Sequence, residues 1–228
     1  MELHKINELS PSSENVPLRV ASYYSTFIMK MFLEFIQDSK DKTSDCLNEM
    51  GVREIFQSIL AGENSLGIFF YAPVKRNVYL EMGEEYHCCC KDLFPPFHLY
   101  VLALKTHPLA ARSAVSLQEI LNYNYVTFND TASLKYLKLL GLQTTKQILQ
   151  VSDRGSFVDA IRTGDYISLA SIHEMPAGRD FVLIPIEDAG FYLNSCYVTA
   201  KNYQLSSKEH EFIQYLRKKF SEQMREVI

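Results

Sequence analysis

One stretch of the chain concentrates chemically able side chains. In Tyr86-His87-Cys88-Cys89-Cys90-Lys91, three of the five cysteines stand side by side next to a histidine. Thiolates and imidazoles hold zinc and carry redox chemistry, but the spacing argues against both. The run reads as a strand, on which neighbours point to opposite faces. Cys88 and Cys90 then share one face with Tyr86, and Cys89 shares the other with His87 and Lys91. Adjacent cysteines do not converge on one ion, and no second ligand pair lies near. Buried cysteine packs as a small hydrophobe, which is the expected role here. His4, His87, His98, His107, His173 and His210 are scattered, with no pair at i, i+4. "GDYIS" is not a nucleophile elbow, and neither H-E-x-x-H nor a phosphate-binding G-x-x-x-x-G-K-[ST] occurs. No catalytic constellation, metal site or cofactor is expected.

Positioning any functional group falls to alternating strands and helices. Residues 1 to 9 carry Leu3, Ile6 and Leu9 at helical spacing, a piece too short to stand alone. Ser10 to Pro17 is a polar linker with a proline near each end. The globular part starts at Leu18 with the short strand "LRVAS". In "STFIMKMFLEFIQDSK", Phe27, Ile28, Met31, Phe32, Phe35 and Ile36 share one helical face behind Ser25 as N-cap. A weak strand near Cys46 to Glu49 precedes "GVREIFQSILAG", a helix stopped by Gly62. "LGIFFY" is a continuous apolar run, the mark of a strand buried on both faces. "EYHCCCKDLF" and "LYVLALK" are two more strands, separated by Pro95-Pro96. After His107-Pro108 the pattern resumes. Helices are predicted over "SLQEIL", "TASLKYLKLLG" and "RGSFVDAIRTG", and strands over "YVTF", "QILQV", "YISLA", "FVLIPI" and "YVTA". The last helix opens on Ser206-Ser207-Lys208-Glu209, a capping-box spacing. Two such series predict an α/β fold of two lobes with largely parallel sheets.

Composition sets the outer bounds. The 228 residues are 47% hydrophobic and 22% charged, with a net charge of −4. This is ordinary globular composition, and it supplies no global field for nucleic acid. No apolar run approaches the ~20 residues of a membrane helix, so no membrane partner is expected. The N-terminus lacks the apolar core of a secretory signal. An odd, scattered set of cysteines fits reduced thiols in a cytoplasmic protein.

The order of segments resembles the effector-binding domain of LysR-type transcriptional regulators, from Leu18 to Phe220. "PLRVAS" with its helix is similar to the family's opening strand. "LAGENSLGIF" resembles its L-x-x-G-x-L-D-L-A-I segment, with Ser65 in place of the aspartate. "LALKTHPLA" resembles V-x-x-x-x-H-P-L-A, the most specific of the set. "VSDRGSFVDAIRTGDYISLAS" is similar to the family's later V…V-x-x-G-x-G-I-x-L-x-P segment, with Tyr166 for the second glycine and Ser171 for the proline. The resemblance implies two Rossmann-like lobes with a cleft between them, as in type II periplasmic binding proteins. It implies lobe one over 18–104 plus 195–228 and lobe two over 105–194, with crossings near Lys105 to Leu109 and Leu193 to Cys196. Residues 1–17 would be the end of a linker helix and a linker. The family's helix-turn-helix has no counterpart here, so DNA would be bound only through that missing part. The resemblance further implies a small-molecule effector, no enzymatic activity, and a homodimer or homotetramer. The alternative is a solute-binding protein or enzyme on the same fold.

In open α/β sheets ligands sit beyond the carboxyl ends of strands, at helix N-termini that favour anions and carbonyls. That selects Ser22 to Thr26, Met50 to Val52, Asn129 to Ser133 and Ser152 to Ser156, and the resemblance selects the same stretches. The candidate effector contacts are Ser22, Tyr24, Ser25, Thr26, Met50, Val52, Phe70, Asn129, Asp130, Arg154, Ser171 and Cys196. Ser25 either caps its helix, grips a ligand, or does both. Phe70 stands where some relatives place a basic residue; it is either core or a sign of a partly apolar effector. Asp130 is an N-cap or a cleft carboxylate that repels anions. Arg154 is solvated, binds an effector anion, or pairs with Asp130 or Asp153. His107 is expected to be structural.

Overall fold

The computed structural model describes residues 16–39, 43–130, 138, 146–174, 180–187 and 191–226. The expected N-terminal helix piece, most of the linker and all but Lys138 of the helix expected over "TASLKYLKLLG" lie outside these residues. Strand β1 (Arg19–Ser22), helix α1 (Thr26–Asp38), β2 (Cys46–Glu49), α2 (Val52–Leu60) and β3 (Leu66–Tyr71) follow in the expected order. Ser25 caps α1 as its periodicity suggests: its hydroxyl accepts from the Ile28 N–H at 3.0 Å. Gly62 and Gly164 both take positive φ at helix ends, 72° and 83°, which costs a glycine nothing. A helix α3 (Arg76–Glu85) then intervenes before β4 (Cys88–Asp92). Its mixed polar sequence carries no clean apolar stripe. Gly83 fits it against β4, since a Cβ there would lie 3.3 Å from the Cys88 carbonyl.

Two sheets result. The first runs β2-β1-β3-β11-β4, with β5 (Phe97–His98) also paired to β11 (Tyr192–Ala200). The second runs β10-β6-β9-β7-β8, built from β6 (Tyr100–Leu104), β7 (Asn124–Phe128), β8 (Ile148–Val151), β9 (Tyr166–Ala170) and β10 (Phe181–Pro185), with the short helix α4 (Leu117–Ile120) leading into β7. Strands β1, β2 and β3 are mutually parallel, as are β7, β8 and β9, while β6, β10 and β11 pair antiparallel. Alternation sends side chains to opposite faces. Val20 and Ile68 enter the core under α1 and the last helix, α6 (Ser207–Glu226), whereas Ala21 and Phe69 pack under α2. The second sheet divides likewise, with Val101 and Tyr125 on one side and Leu102 and Val126 under α5 (Arg154–Arg162) on the other. Both sheets are thus covered on both faces, which is why β3 reads as an unbroken apolar run.

Three expectations change. Strand β6, assigned by the resemblance to the first lobe, hydrogen-bonds into the second sheet. A buried apolar strand reads alike in either sheet, and only its pairing distinguishes them. The chain crosses at Leu99 and again around Phe191, where the Leu99 N–H donates to the Phe191 carbonyl at 2.8 Å. "THPLA" is instead a 3-10 turn within the second lobe, Pro108–Ala111, on which His107 Nδ1 accepts from the Leu109 N–H at 3.2 Å. The cysteine strand begins at Cys88, because Tyr86 ends α3 and His87 turns the chain at φ 51°. Cys88 and Cys90 still share a face and pack on the α2 side of the sheet. Burial pushes the Cys88 thiol up to about 11. Among the described residues no cluster of three or more His, Cys, Asp or Glu is placed to hold a metal ion.

The C-terminal helix is bolted to the first strands through a buried pair. Ser206 and Glu209 form the expected capping box, with Ser206 N–H donating to Glu209 at 2.7 Å. Within that first turn, Lys208 Nζ lies 2.9 and 2.8 Å from the two oxygens of Asp45. Asp45 also accepts from the Leu18 N–H at 2.7 Å and the Thr43 hydroxyl at 2.8 Å. Burial disfavours the Asp45 charge, but the hydrogen bonds from Lys208, Leu18 and Thr43 win and hold its carboxyl below the usual range. A depressed folded pKa contributes stability above the unfolded value and loses it as pH falls through the folded one. Lys208→Met is expected to lower the unfolding free energy by about 3 kcal/mol at neutral pH. That loss should shrink below about pH 4, where unfolded carboxylates protonate; urea melts across pH check both. Gly67→Ala should destabilise by about 1–3 kcal/mol, because its Cβ would fall 2.4 Å from Val198 and 2.5 Å from Ile55.

Candidate binding cleft

The carboxyl ends of β1, β2 and β3 in the first sheet and of β7, β8 and β9 in the second open onto one cavity of about 690 Å³. Its walls are aromatic: Tyr23, Tyr24, Phe70, Tyr71 and Tyr79 from the first lobe, Tyr125, Phe128 and Phe157 from the second. Burial pushes the Tyr79 and Tyr125 hydroxyls up to about 12, so both are neutral hydrogen-bonding groups. The Tyr125 hydroxyl accepts from the Leu169 N–H at 3.0 Å.

Contacts between the lobes cross this cavity. Tyr24 stacks on Phe128 with centroids 4.3 Å apart and planes at 9°, and Phe128 stacks in turn on Phe157 at 4.9 Å. The Tyr23 hydroxyl donates to Asp130 at 2.9 Å. Arg154 Nε lies 2.7 Å from a carboxylate oxygen of Glu49, with only 29% and 17% of the two side chains exposed. The turn Ile172–Glu174 after β9 enters the first lobe as a peg. His173 stacks on Phe220 of α6 at 3.9 Å and its Nδ1 lies 2.6 Å from the Gln223 amide oxygen. Glu174 accepts from the Ser25 hydroxyl at 2.5 Å and from the Thr26 N–H at 2.6 Å. Burial raises the Glu174 carboxyl above the usual range, against these hydrogen bonds and the charge of Arg154.

Of the twelve expected contacts, Tyr24, Thr26, Val52, Phe70, Asn129, Asp130, Arg154 and Ser171 line the cavity. Ser22, Ser25, Met50 and Cys196 do not. Ser22 is fully buried and donates to the Tyr23 carbonyl at 2.8 Å. Ser25, 1% exposed, turns its hydroxyl to Glu174 and the cap. Met50 packs against the α2 cluster. Cys196, 3% exposed, faces that same cluster, and a hydrogen bond with Cys90 together with burial holds its thiol protonated. Arg154 pairs with Glu49 rather than with Asp130 or Asp153, because Asp153 is occupied capping α5 through the Ser156 N–H at 2.8 Å. Asp130 faces the cleft. The wall from α3, Tyr79 and Met82, follows from no sequence motif. Glu174 follows from the strand-end rule once that rule is applied to β9.

The Glu49–Arg154 pair is the one ion pair that spans the cleft among the described residues. A double-mutant cycle with Glu49→Gln and Arg154→Met, read by urea unfolding, is expected to give a coupling of about 1–2 kcal/mol, between the values for exposed and fully buried pairs.

Residues 46–221 match the family model for the LysR substrate binding domain. No curated protein matches the sequence significantly. Solved structures share the fold. The reduced OxyR regulatory domain from Pseudomonas aeruginosa aligns with a TM-score of 0.69 at 12% identity, over 90% of this chain and 99% of that one. The CcmR regulatory domain from Synechocystis PCC6803, solved in complex with 2-PG, gives 0.63 at 22% identity over 88% and 95%. The effector binding domain of QuiR, in complex with shikimate, gives 0.65 at 17% over 91% and 98%. With the family model spanning most of the chain and both sheets in place, this protein belongs to the LysR substrate-binding domain family.

Proposed function

We propose that this domain senses a small molecule held between its two lobes, in the cavity walled by Tyr24, Tyr79, Phe128 and Phe157, and passes the event on as a change in lobe angle. The supporting observation is that cavity-lining residues, Tyr23, Tyr24, Phe128, Asp130, Arg154 and Glu174, also make the lobe-to-lobe contacts. A ligand that wedges between Tyr24 and Phe128, or bridges Asn129 to the α2 end, alters the relative stability of two lobe arrangements. Differential affinity for the arrangements is all that regulation requires, and 1–3 kcal/mol of coupling suffices. In an intact regulator the same change would reposition helix-turn-helix segments on DNA. The predominance of ring faces over free charges favours an effector with an aromatic or otherwise apolar body.

The domain pairs with copies of itself as a homodimer or homotetramer in this reading. The α1 face of Phe27, Met31 and Phe35 does not serve that purpose: Phe27 and Met31 are 2% exposed, and Phe35 packs on Phe212 and Tyr215 of α6. A cytoplasmic setting suits the free thiols, and no described helix is long and apolar enough to cross a membrane.

A thermal-shift screen of metabolites tests the sensor reading. A true effector at a hundredfold excess over Kd should raise the melting temperature by about 5–10 °C. Asn129→Ala should cut that rise while leaving the ligand-free melting temperature nearly unchanged. An undiminished rise places the ligand elsewhere.

A further inference from the structure

The N-terminus of α1 already holds a carboxylate, and it belongs to the chain itself. Glu174 comes from the second lobe, 148 residues away from Thr26 in sequence. Its two oxygens take the Ser25 hydroxyl at 2.5 Å, the Thr26 N–H at 2.6 Å and the Phe27 N–H at 3.4 Å. These are the donors, at the positive end of a 13-residue helix, that a free carboxylate would seek. The next side chain agrees in sign. His173 is 5% exposed; with Nδ1–H donating to Gln223, its Nε2 keeps a lone pair, and that atom has no partner among the described residues. A buried acceptor beside a buried carboxylate is hostile to a second anion.

We infer that Glu174 determines the specificity of the cleft: it is a built-in occupant of the α1 N-terminus, so an effector cannot anchor a carboxylate there and is recognised through the aromatic chamber beside it. The inference rests on the cleft being the effector site. A tethered group competes at an effective concentration of roughly millimolar or more, so a free acid at ordinary metabolite levels does not displace Glu174. The other charges of the chamber are consistent with this. Arg154 is engaged by Glu49, Glu54 takes the Gly51 N–H at 2.6 Å, and Asp130 takes the Tyr23 hydroxyl. Arg53 donates to the Tyr86 hydroxyl at 2.9 Å, and Lys75, half-buried on the turn after β3, lines the same cavity and would meet an anionic substituent of the effector.

Small-carboxylate rescue provides the test. Thermal unfolding of the wild-type chain, Glu174→Ala and Glu174→Gln is followed in sodium acetate and in sodium chloride of equal ionic strength. Glu174→Ala vacates the site, and acetate at tenfold over its Kd should raise the melting temperature by about 3–6 °C beyond chloride. Wild type and Glu174→Gln, whose amide still fills the position, should show no such difference. If Glu174→Ala unfolds in chloride, recovery of helical circular dichroism in acetate is the same positive result. Titration of the 15N-labelled wild type with acetate supplies a check that needs no variant: the Thr26 and Phe27 amide resonances should not move. Absence of rescue in a folded Glu174→Ala, or movement of those amides in wild type, overturns the inference. Rescue in a domain that no metabolite stabilises would leave Glu174 as the occupant while removing the sensor reading, so the two fail separately.

Discussion

An α-helix begins with N–H groups that its own backbone cannot satisfy, and the first turn of α1 points these groups into the gap between the lobes. The contact between the lobes at this helix depends on how they are met. Ser25 satisfies one from below, and Glu174 reaches across from the other lobe to satisfy two more. Because the carboxylate arrives from β9, the helix start is complete only when the lobes are together. A feature usually local to one helix has become a tie between distant parts of the chain. Its companion His173, stacked on Phe220 and bonded to Gln223, fixes the same turn against α6, so the peg is held from two directions.

Several charged groups near this buried carboxylate are themselves paired across or along the cleft. A lone charge in an apolar gap is expensive, and partners relieve it. Arg154 stands near enough to favour the Glu174 charge while closing on Glu49, and Asp130 finds the Tyr23 hydroxyl. What remains between the paired groups is aromatic surface. Rings offer area with few rotatable bonds and discriminate ligands by shape and by the position of a few polar edges. If the cleft is the effector site as proposed, it selects on body shape more than on charge.

Periodicity made much of this legible in advance. The faces of α1, α2 and α6, the cap at Ser25, the capping box at Ser206 and the buried run of β3 all follow from spacing that the backbone must respect. The strand-end rule, which concerns topology rather than any one side chain, likewise picks out the stretches of six cavity-lining residues: Tyr24, Thr26, Val52, Asn129, Asp130 and Arg154. What escaped depends on partners far apart in sequence. β6 carries the same apolar signature in either sheet, and only its pairing with β9 and β10 decides. The α3 helix has too mixed a pattern to be recognised, and it brings Tyr79 and Met82 to the cleft wall. Glu174 looks like a surface acid in "SIHEMP" until the lobes are brought together. Ser22, Met50 and Cys196 lie on the right segments but turn toward the first sheet and its helices, while Ser25 is taken by the α1 cap and by Glu174 from the other lobe.

The two crossings between the lobes have a mechanical consequence. They run antiparallel and bonded to each other, Leu99 to Phe191, with His98 and Phe97 registered on Tyr192 and Leu193. Two separate tethers would let one lobe tumble over the other in any direction. Joined edge to edge they make a two-stranded ribbon, stiffer against shear between its strands than against twist and bending. Relative motion of the lobes is thereby reduced from a wobble to a narrow set of rotations. In the proposed sensor, a ligand wedged in the gap would act on the lobes through these few modes of twist and flexing.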